Sequence, residues 1–141
     1  MSNTKTMLAM LALGATVAFA GPAFAEKMKA TLDGKSEVPA NTSAGKGTAD
    51  IDYDAATKKL TWTVTYSGLS GPATAAHFHG PAEPGKNAGV AVAIPNAGTS
   101  PVSGSATLTD AQAADLTAGK YYVNIHTAAN PGGEIRGQVT K

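Results

Sequence analysis

Residues 60–66 alternate strictly, with Leu, Trp, Val and Tyr side chains separated by threonines. Successive side chains of a β-strand point to opposite faces, so this pattern indicates a strand with one apolar face and one face in water. The same period of two recurs at 28–33 and 49–54. Further apolar segments, bounded by Gly, Pro, Asn and Asp, follow at 73–80, 90–94, 101–108, 120–127 and 133–140. We therefore predict an all-β fold, a Greek-key antiparallel β-sandwich or barrel of about eight strands.

One short helix is expected to interrupt the strands. Thr109 and Gln112 have the spacing of a capping box, in which each side chain bonds the backbone N–H of the other at the start of a helix. Gly119 suits the position just after a helix end. The sequence therefore predicts a helix over 110–118.

The first 25 residues have the organisation of a bacterial secretory signal peptide. Lys5 precedes an uncharged apolar run at 7–20, and two Ala-Phe-Ala sequences supply cleavage signatures, the second ending at Ala25. The run is shorter than the roughly 20 residues that a membrane-spanning helix needs. We expect cleavage after Ala25, a periplasmic or secreted location, and one domain at 26–141 without a membrane span.

Charge and cysteine content exclude several classes of partner. The chain has eleven Lys and Arg and ten Asp and Glu, and removing Lys5 with the signal leaves ten of each. A neutral domain without a basic cluster is not expected to bind nucleic acid or an anionic membrane surface. The chain has no cysteine, so neither a disulfide nor a lipid-bearing cysteine contributes to it.

The three histidines carry the main functional signal. His77, His79 and His126 all lie in predicted strands. Residues two apart on a strand point to the same face and lie about 6.5–7 Å from each other, so His77 and His79 can bind one ion. Alternation places His126 on the face opposite Val123 and Ile125, which frees it to act as a third ligand from a neighbouring strand. Imidazole suits copper or zinc rather than calcium or magnesium. The alternative is that the histidines are structural and hydrogen-bond to their neighbours.

A turn and two charged residues follow the third histidine. Residues 130–133, Asn-Pro-Gly-Gly, are predicted to connect the last two strands. Glu134 and Arg136 come next on one face, where they could form an exposed ion pair of little energetic value. Arg136 could instead brace a loop carbonyl or attract an anion to the histidines.

Several segments together resemble the CHRD domain, which is named for its repeats in chordin, an animal extracellular antagonist of growth factors. They are Ala-His-Phe-His-Gly-Pro-Ala at 76–82, Gly89-Val90, Leu108-Thr109 with Gln112 and Leu116, Tyr-Val-Asn-Ile-His-Thr at 122–127, and Asn-Pro-Gly-Gly-Glu-Ile-Arg-Gly-Gln at 130–138. The resemblance covers almost all of the domain at 26–141 and implies an extracellular β-domain.

The order of the histidines is similar, more distantly, to that of the copper ligands in copper/zinc superoxide dismutase. This likeness implies that His77, His79 and His126 take three copper positions. The chain departs from that family because it lacks a fourth histidine, a zinc-ligand loop and a disulfide, and because Glu134 stands roughly where that family has an anion-guiding arginine. The likeness therefore implies a copper site rather than dismutase activity.

Two classes of function follow from these features. The first is an exported domain that binds a transition metal, copper in preference to zinc, through His77, His79 and His126 for sequestration, delivery or redox protection. The second is an extracellular protein-binding or adhesion module in which the histidines are structural and the loops contact a partner protein. A redox enzyme is a third class, which the departures from the dismutase pattern disfavour.

Overall fold

A computed structural model describes residues 14–17 and 25–141, so most of the predicted signal peptide at 1–25 lies outside the described residues. Within the described part, the chain forms eight strands and one helix. They are β1 (Glu26–Asp33), β2 (Lys46–Asp54), β3 (Lys59–Ser67), β4 (Ala73–His79), β5 (Val90–Ile94), β6 (Val102–Thr107), α1 (Asp110–Thr117), β7 (Tyr122–Thr127) and β8 (Ile135–Gln138). The predicted all-β class with one short helix is confirmed.

All eight strands belong to one antiparallel sheet with the order β5-β4-β7-β8-β1-β2-β3-β6. Its two edge strands, β5 and β6, approach each other, so the sheet is nearly closed into a barrel. Strands β1 to β3 are joined as consecutive hairpins, whereas β7 lies between β4 and β8. These non-sequential neighbours give a Greek-key rather than an up-and-down connection. The topology also places the two histidine-bearing strands, β4 and β7, side by side.

The interior of the barrel holds the apolar half of each alternating strand. Trp62 from β3 is 2% exposed, and its ring meets Phe78 of β4 edge-on at a centroid distance of 5.3 Å. A Cβ atom at Gly104 on β6 would lie 2.7 Å from the Trp62 ring, so only glycine leaves room for the indole there. Burial of these apolar side chains is the main source of stability for the fold.

The helix α1 begins as the sequence predicts. The Thr109 side chain accepts from the Gln112 backbone N–H, and the Gln112 side chain accepts from the Thr109 N–H, which completes the capping box. The Gln112 amide also donates to the carbonyl of Ala91 at 3.0 Å, so the helix start is attached to the edge strand β5. Leu116 anchors the helix in the core. Among the residues described, no helix is long and apolar enough to cross a bilayer.

Strand β8 joins the two halves of the sheet through a close backbone approach. Asp33 of β1 lies opposite Arg136 of β8, and Lys29 and Thr140 exchange backbone hydrogen bonds of 2.8 and 2.9 Å. A Cβ at Gly137 would collide with the backbone of Thr31. Glycine at this position therefore allows β1 and β8 to pair.

The outer surface of the sheet is divided into two different faces. On β1, β2 and β3 the outer side chains are Lys, Asp, Thr and Ser in contact with solvent, as in the exposed Lys27–Asp52 ion pair of 2.7 Å; we call this the open face. On β4, β7 and β8 the outer side chains lie beneath loops 34–45, 80–89 and 128–134; we call this the covered face. The covered face consists of His77, His79, Tyr122, Asn124, His126, Arg136 and Gln138, with Glu134 in the loop directly before β8. Every residue of β7 is buried, because one of its faces points to the core and the other to this layer.

Candidate metal centre

Three sequence-predicted ligands meet on the covered face. His77 and His79 project from β4, and His126 projects from the adjacent β7, where it pairs with Ala75. One ring nitrogen from each histidine lies within 4.8 Å of the others, so the group could hold a metal ion. Nitrogens that bind one ion at about 2 Å are at most about 4 Å apart. Small side-chain rotations would therefore bring all three to ligand distance.

The orientation of His126 is set by the turn that follows it. Its Nδ1 lies 2.8 Å from the carbonyl oxygen of Pro131. A carbonyl only accepts, so Nδ1 carries the proton and the lone pair of the neutral ring is on Nε2. That atom faces Nδ1 of His77 at 3.0 Å. The turn at 130–133 thus aims the ligand atom of His126 into the group.

His79 is held in the same way by a different loop. Its Nδ1 lies 3.0 Å from the carbonyl oxygen of Ala88, which again places the proton on Nδ1. Its Nε2 is buried and lacks a hydrogen-bond partner among the residues that the structure describes. Metal-binding histidines almost always donate their second ring N–H to a carbonyl, a carboxylate or water, and His79 and His126 both do so.

His77 differs from the other two histidines in exposure. His79 and His126 are 8% and 9% exposed, whereas His77 is only half-buried. Burial lowers the pKa of His77, and the neighbouring His126 and His79 lower it further. Burial likewise lowers the pKa of His79. Both shifts favour the neutral imidazole, which is the form that binds metal.

Tyr122 lies between His79 and a buried cation. Its ring is parallel to that of His79, with 3° between the planes and 4.9 Å between the centroids. On the opposite side, Cζ of Arg136 lies 3.4 Å from the Tyr122 ring centroid, in a cation–π contact. Arg136 also donates from Nη1 to Asn87 at 2.9 Å and from Nη2 to the carbonyl of Lys86. Of the roles predicted for Arg136, bracing a loop carbonyl is the one the structure confirms.

The predicted exposed pair of Glu134 with Arg136 is wrong. Both residues are buried, and the Glu134 carboxylate accepts five hydrogen bonds, which come from Ser43, Ser70, Thr127 and Asn130. Burial raises the pKa of Glu134, but the bonds from Ser70, Thr127 and Ser43 outweigh it and lower the pKa to about 2. Glu134 therefore connects three loops instead of pairing with Arg136. Alternation shows that the two residues share a face but not that loops cover it.

Glu37 is a buried acid that the sequence does not reveal. It stands in the loop at 34–45, yet it is 6% exposed, and Oε1 finds no hydrogen-bond partner within the described part of the chain. Burial raises its pKa to about 7, although Arg136 and hydrogen bonds from Val38 and Asn124 oppose the shift. A Cβ at Gly133 would collide with its carboxylate. A glutamate between serine and valine in a loop has no pattern that predicts such burial.

Comparison with protein families confirms the resemblance found in the sequence. The family model of the CHRD domain matches residues 28–139, from β1 through β8. The match includes all three histidines, Tyr122 and Arg136. Comparisons with curated proteins and with solved structures found no match. The chain belongs to the CHRD domain family.

Proposed function

We propose that this protein is an exported CHRD domain that binds a transition metal ion through His77, His79 and His126. Its role would be sequestration, delivery or redox protection. The observation that carries the proposal is the pair of carbonyl bonds at Nδ1 of His79 and His126, which leave the lone pair of each neutral ring on Nε2. Such bonds fix the tautomer and ring orientation of metal ligands.

Copper is the preferred ion and zinc the alternative. Divalent copper binds nitrogen ligands more tightly than zinc does. Three imidazoles leave a coordination position for water or another ligand. Binding at Nδ1 of His77 requires the proton now shared with His126 to move to His77 Nε2, which a neutral imidazole allows because its proton can occupy either nitrogen.

Export is the second element of the proposal. It rests on Lys5, the apolar run at 7–20 and the two Ala-Phe-Ala sequences, and on the extracellular character of CHRD domains. Strand β1 starts at Glu26, directly after the proposed cleavage point. Intact-mass measurement of protein from a periplasmic or culture fraction should give Glu26 as the first residue. Protein in that fraction that keeps residues 1–25 would contradict export.

The metal site is tested by titrating the domain at 26–141 with Cu²⁺ and Zn²⁺ in a calorimeter. We expect stoichiometric binding of one ion, a higher melting temperature in its presence, and weaker binding in acid, where the imidazoles protonate. The variant in which His77, His79 and His126 are all alanine should lose this binding. Thr63→Ala on the open face serves as the matched control. Equal copper affinity in the wild type and the triple variant would refute the site.

One observation favours the alternative of a protein-binding module with structural histidines. The 3.0 Å hydrogen bond between His77 Nδ1 and His126 Nε2 satisfies both atoms without an ion. Under this alternative, His77→Ala and His126→Ala destabilise the metal-free domain by about 0.5–1.5 kcal/mol, the usual worth of a hydrogen bond, and no ion binds the wild type. Under the metal proposal, the same variants chiefly lose copper affinity.

A further inference from the structure

The side chain of Tyr122 contacts His79 in two independent ways. Its ring covers the flat side of the imidazole at 4.9 Å with the planes 3° apart. Its hydroxyl donates to the carbonyl of Ala88 at 3.2 Å and accepts from the Ala88 N–H at 3.1 Å. That carbonyl is the one that accepts from His79 Nδ1. One residue therefore fixes both the plane of the imidazole and the group that sets its tautomer.

Arg136 holds the other side of the Tyr122 ring. The guanidinium carbon lies 3.4 Å from the ring centroid, and its nitrogens bind Asn87 and the Lys86 carbonyl. Asn87 in turn donates to the carbonyl of Val38 at 3.0 Å. The only arginine of the chain is thus buried between the tyrosine and the two loops above it. A planar guanidinium can stack and form these bonds at once, which a lysine cannot.

We infer that Tyr122, supported by Arg136, is a positioning residue that presents His79 Nε2 to the histidine group. The inference rests on the proposed metal function and extends it, because it holds that a residue that is not a ligand sets the orientation and tautomer of His79. Without the Tyr122 ring, the imidazole can rotate about its side-chain bonds. Without the fixed Ala88 carbonyl, its proton can move to Nε2 and block the nitrogen that we propose as the ligand atom.

Two variants of Tyr122 separate these effects. Tyr122→Phe keeps the ring and loses the hydroxyl, whereas Tyr122→Leu loses both. Tyr66→Leu is the matched control, because Tyr66 on β3 also bonds a backbone carbonyl, that of Ala97, but lies away from the histidines.

The first measurement uses nitrogen-15 NMR of the metal-free domain. We expect His79 of the wild type and Tyr66→Leu to populate the Nδ1–H tautomer. Tyr122→Phe should show a minor share of the Nε2–H form, because Ala88 loses its hydroxyl partner, and Tyr122→Leu a larger share. The second measurement is Cu²⁺ affinity with its electron paramagnetic resonance spectrum. Tyr122→Leu should bind about 10–100-fold more weakly, as loss of an outer-sphere partner does, with altered nitrogen hyperfine structure. Tyr122→Phe, which keeps the stacked ring, should lose less affinity than Tyr122→Leu and give a spectrum closer to that of the wild type.

The outcomes distinguish the inference from the proposed function. A single Nδ1–H tautomer in Tyr122→Leu, wild-type copper affinity in that variant, or an equal loss in Tyr122→Phe would each overturn the positioning role. If the NMR result is as expected but the wild type does not bind copper, the positioning of His79 stands and the metal function fails. Should Tyr122→Leu not fold, Arg136→Lys replaces it, because loss of the stacked guanidinium should also mix the His79 tautomers; an unchanged tautomer there overturns the inference.

Discussion

Strands β3 and β7 both alternate inward and outward side chains, but the outward side chains of β3 are exposed and those of β7 are buried. On β3, the outward Thr61, Thr63 and Thr65 face solvent. On β7, the outward Asn124 and His126 are buried beneath loops. The open face needs no specific partner for each polar group because water provides it. The covered face must satisfy its polar groups within the protein, since an unpaired buried polar group costs about 1–3 kcal/mol.

The loops meet this requirement mainly with backbone carbonyls. Pro131 and Ala88 accept from histidines, Lys86 accepts from Arg136, and Glu134 accepts from its own set of hydroxyl and amide groups. Within residues 25–141, the match is incomplete for a few polar atoms, among them His79 Nε2, which has no hydrogen-bond partner there.

The largest expected loss of stability comes from a substitution on the inner surface of the barrel rather than on either outer face. Trp62→Ala should destabilise the domain by about 3–5 kcal/mol, because removal of a buried large side chain leaves a cavity. The adjacent Thr63→Ala, on the open face of the same strand, should change stability by no more than about 0.5 kcal/mol. Urea unfolding of the two variants measures both values. A loss below about 0.5 kcal/mol for Trp62→Ala would place the indole outside the core.

The next largest loss of stability is expected when the buried Glu134 is replaced, and Asp50 on the open face provides the comparison. Glu134→Gln replaces a carboxylate that accepts five hydrogen bonds, and should cost about 1.5–3 kcal/mol, the range for hydrogen bonds to charged groups. Asp50→Asn, the same chemical change on the open face, should stay within about 0.5 kcal/mol. Equal effects in urea unfolding at pH 7 would show that the loops do not depend on Glu134.

Acid should remove the contribution of Glu134. Its pKa is lowered from 4.5 to about 2 in the folded state, so the unfolded chain binds the proton first as pH falls. The stability it adds is therefore complete above about pH 4.5 and declines as pH falls toward 2. Unfolding of wild type and Glu134→Gln between pH 6 and 2 should show a smaller acid loss in the variant. Parallel curves would contradict the strong carboxylate bonds.

Glu37 should give the opposite dependence on pH. Its pKa is raised from 4.5 to about 7 by burial, so the folded domain holds this proton more tightly than the unfolded chain does. Between these pH values stability should decrease as pH rises. Glu37→Gln should flatten that decrease, which urea unfolding from pH 4.5 to 8 detects. If the variant keeps the wild-type slope, Glu37 is ionised in the folded domain at neutral pH.

Local patterns were sufficient to predict the strands, the helix and the placement of the histidines. Alternation at 60–66 and the capping box at Thr109 depend on neighbouring residues alone. The position of His126 on the face opposite Val123 also follows from the strand period alone. Burial of the outer face could not be predicted in this way, because it arises when loops distant in sequence fold over the sheet. Glu37 is buried through contacts with residues far along the chain, which no local pattern records.

The histidine group forms only when strands that are distant in the sequence have paired. His77 and His126 are separated by 49 positions and meet only when β7 pairs with β4. An extended chain offers His77 and His79 at most, without the loop carbonyls that orient them. A polypeptide that crosses a membrane unfolded would therefore acquire this site only in the compartment where it folds. Under the proposed function, the newly made chain inside the cell would therefore lack the complete histidine group.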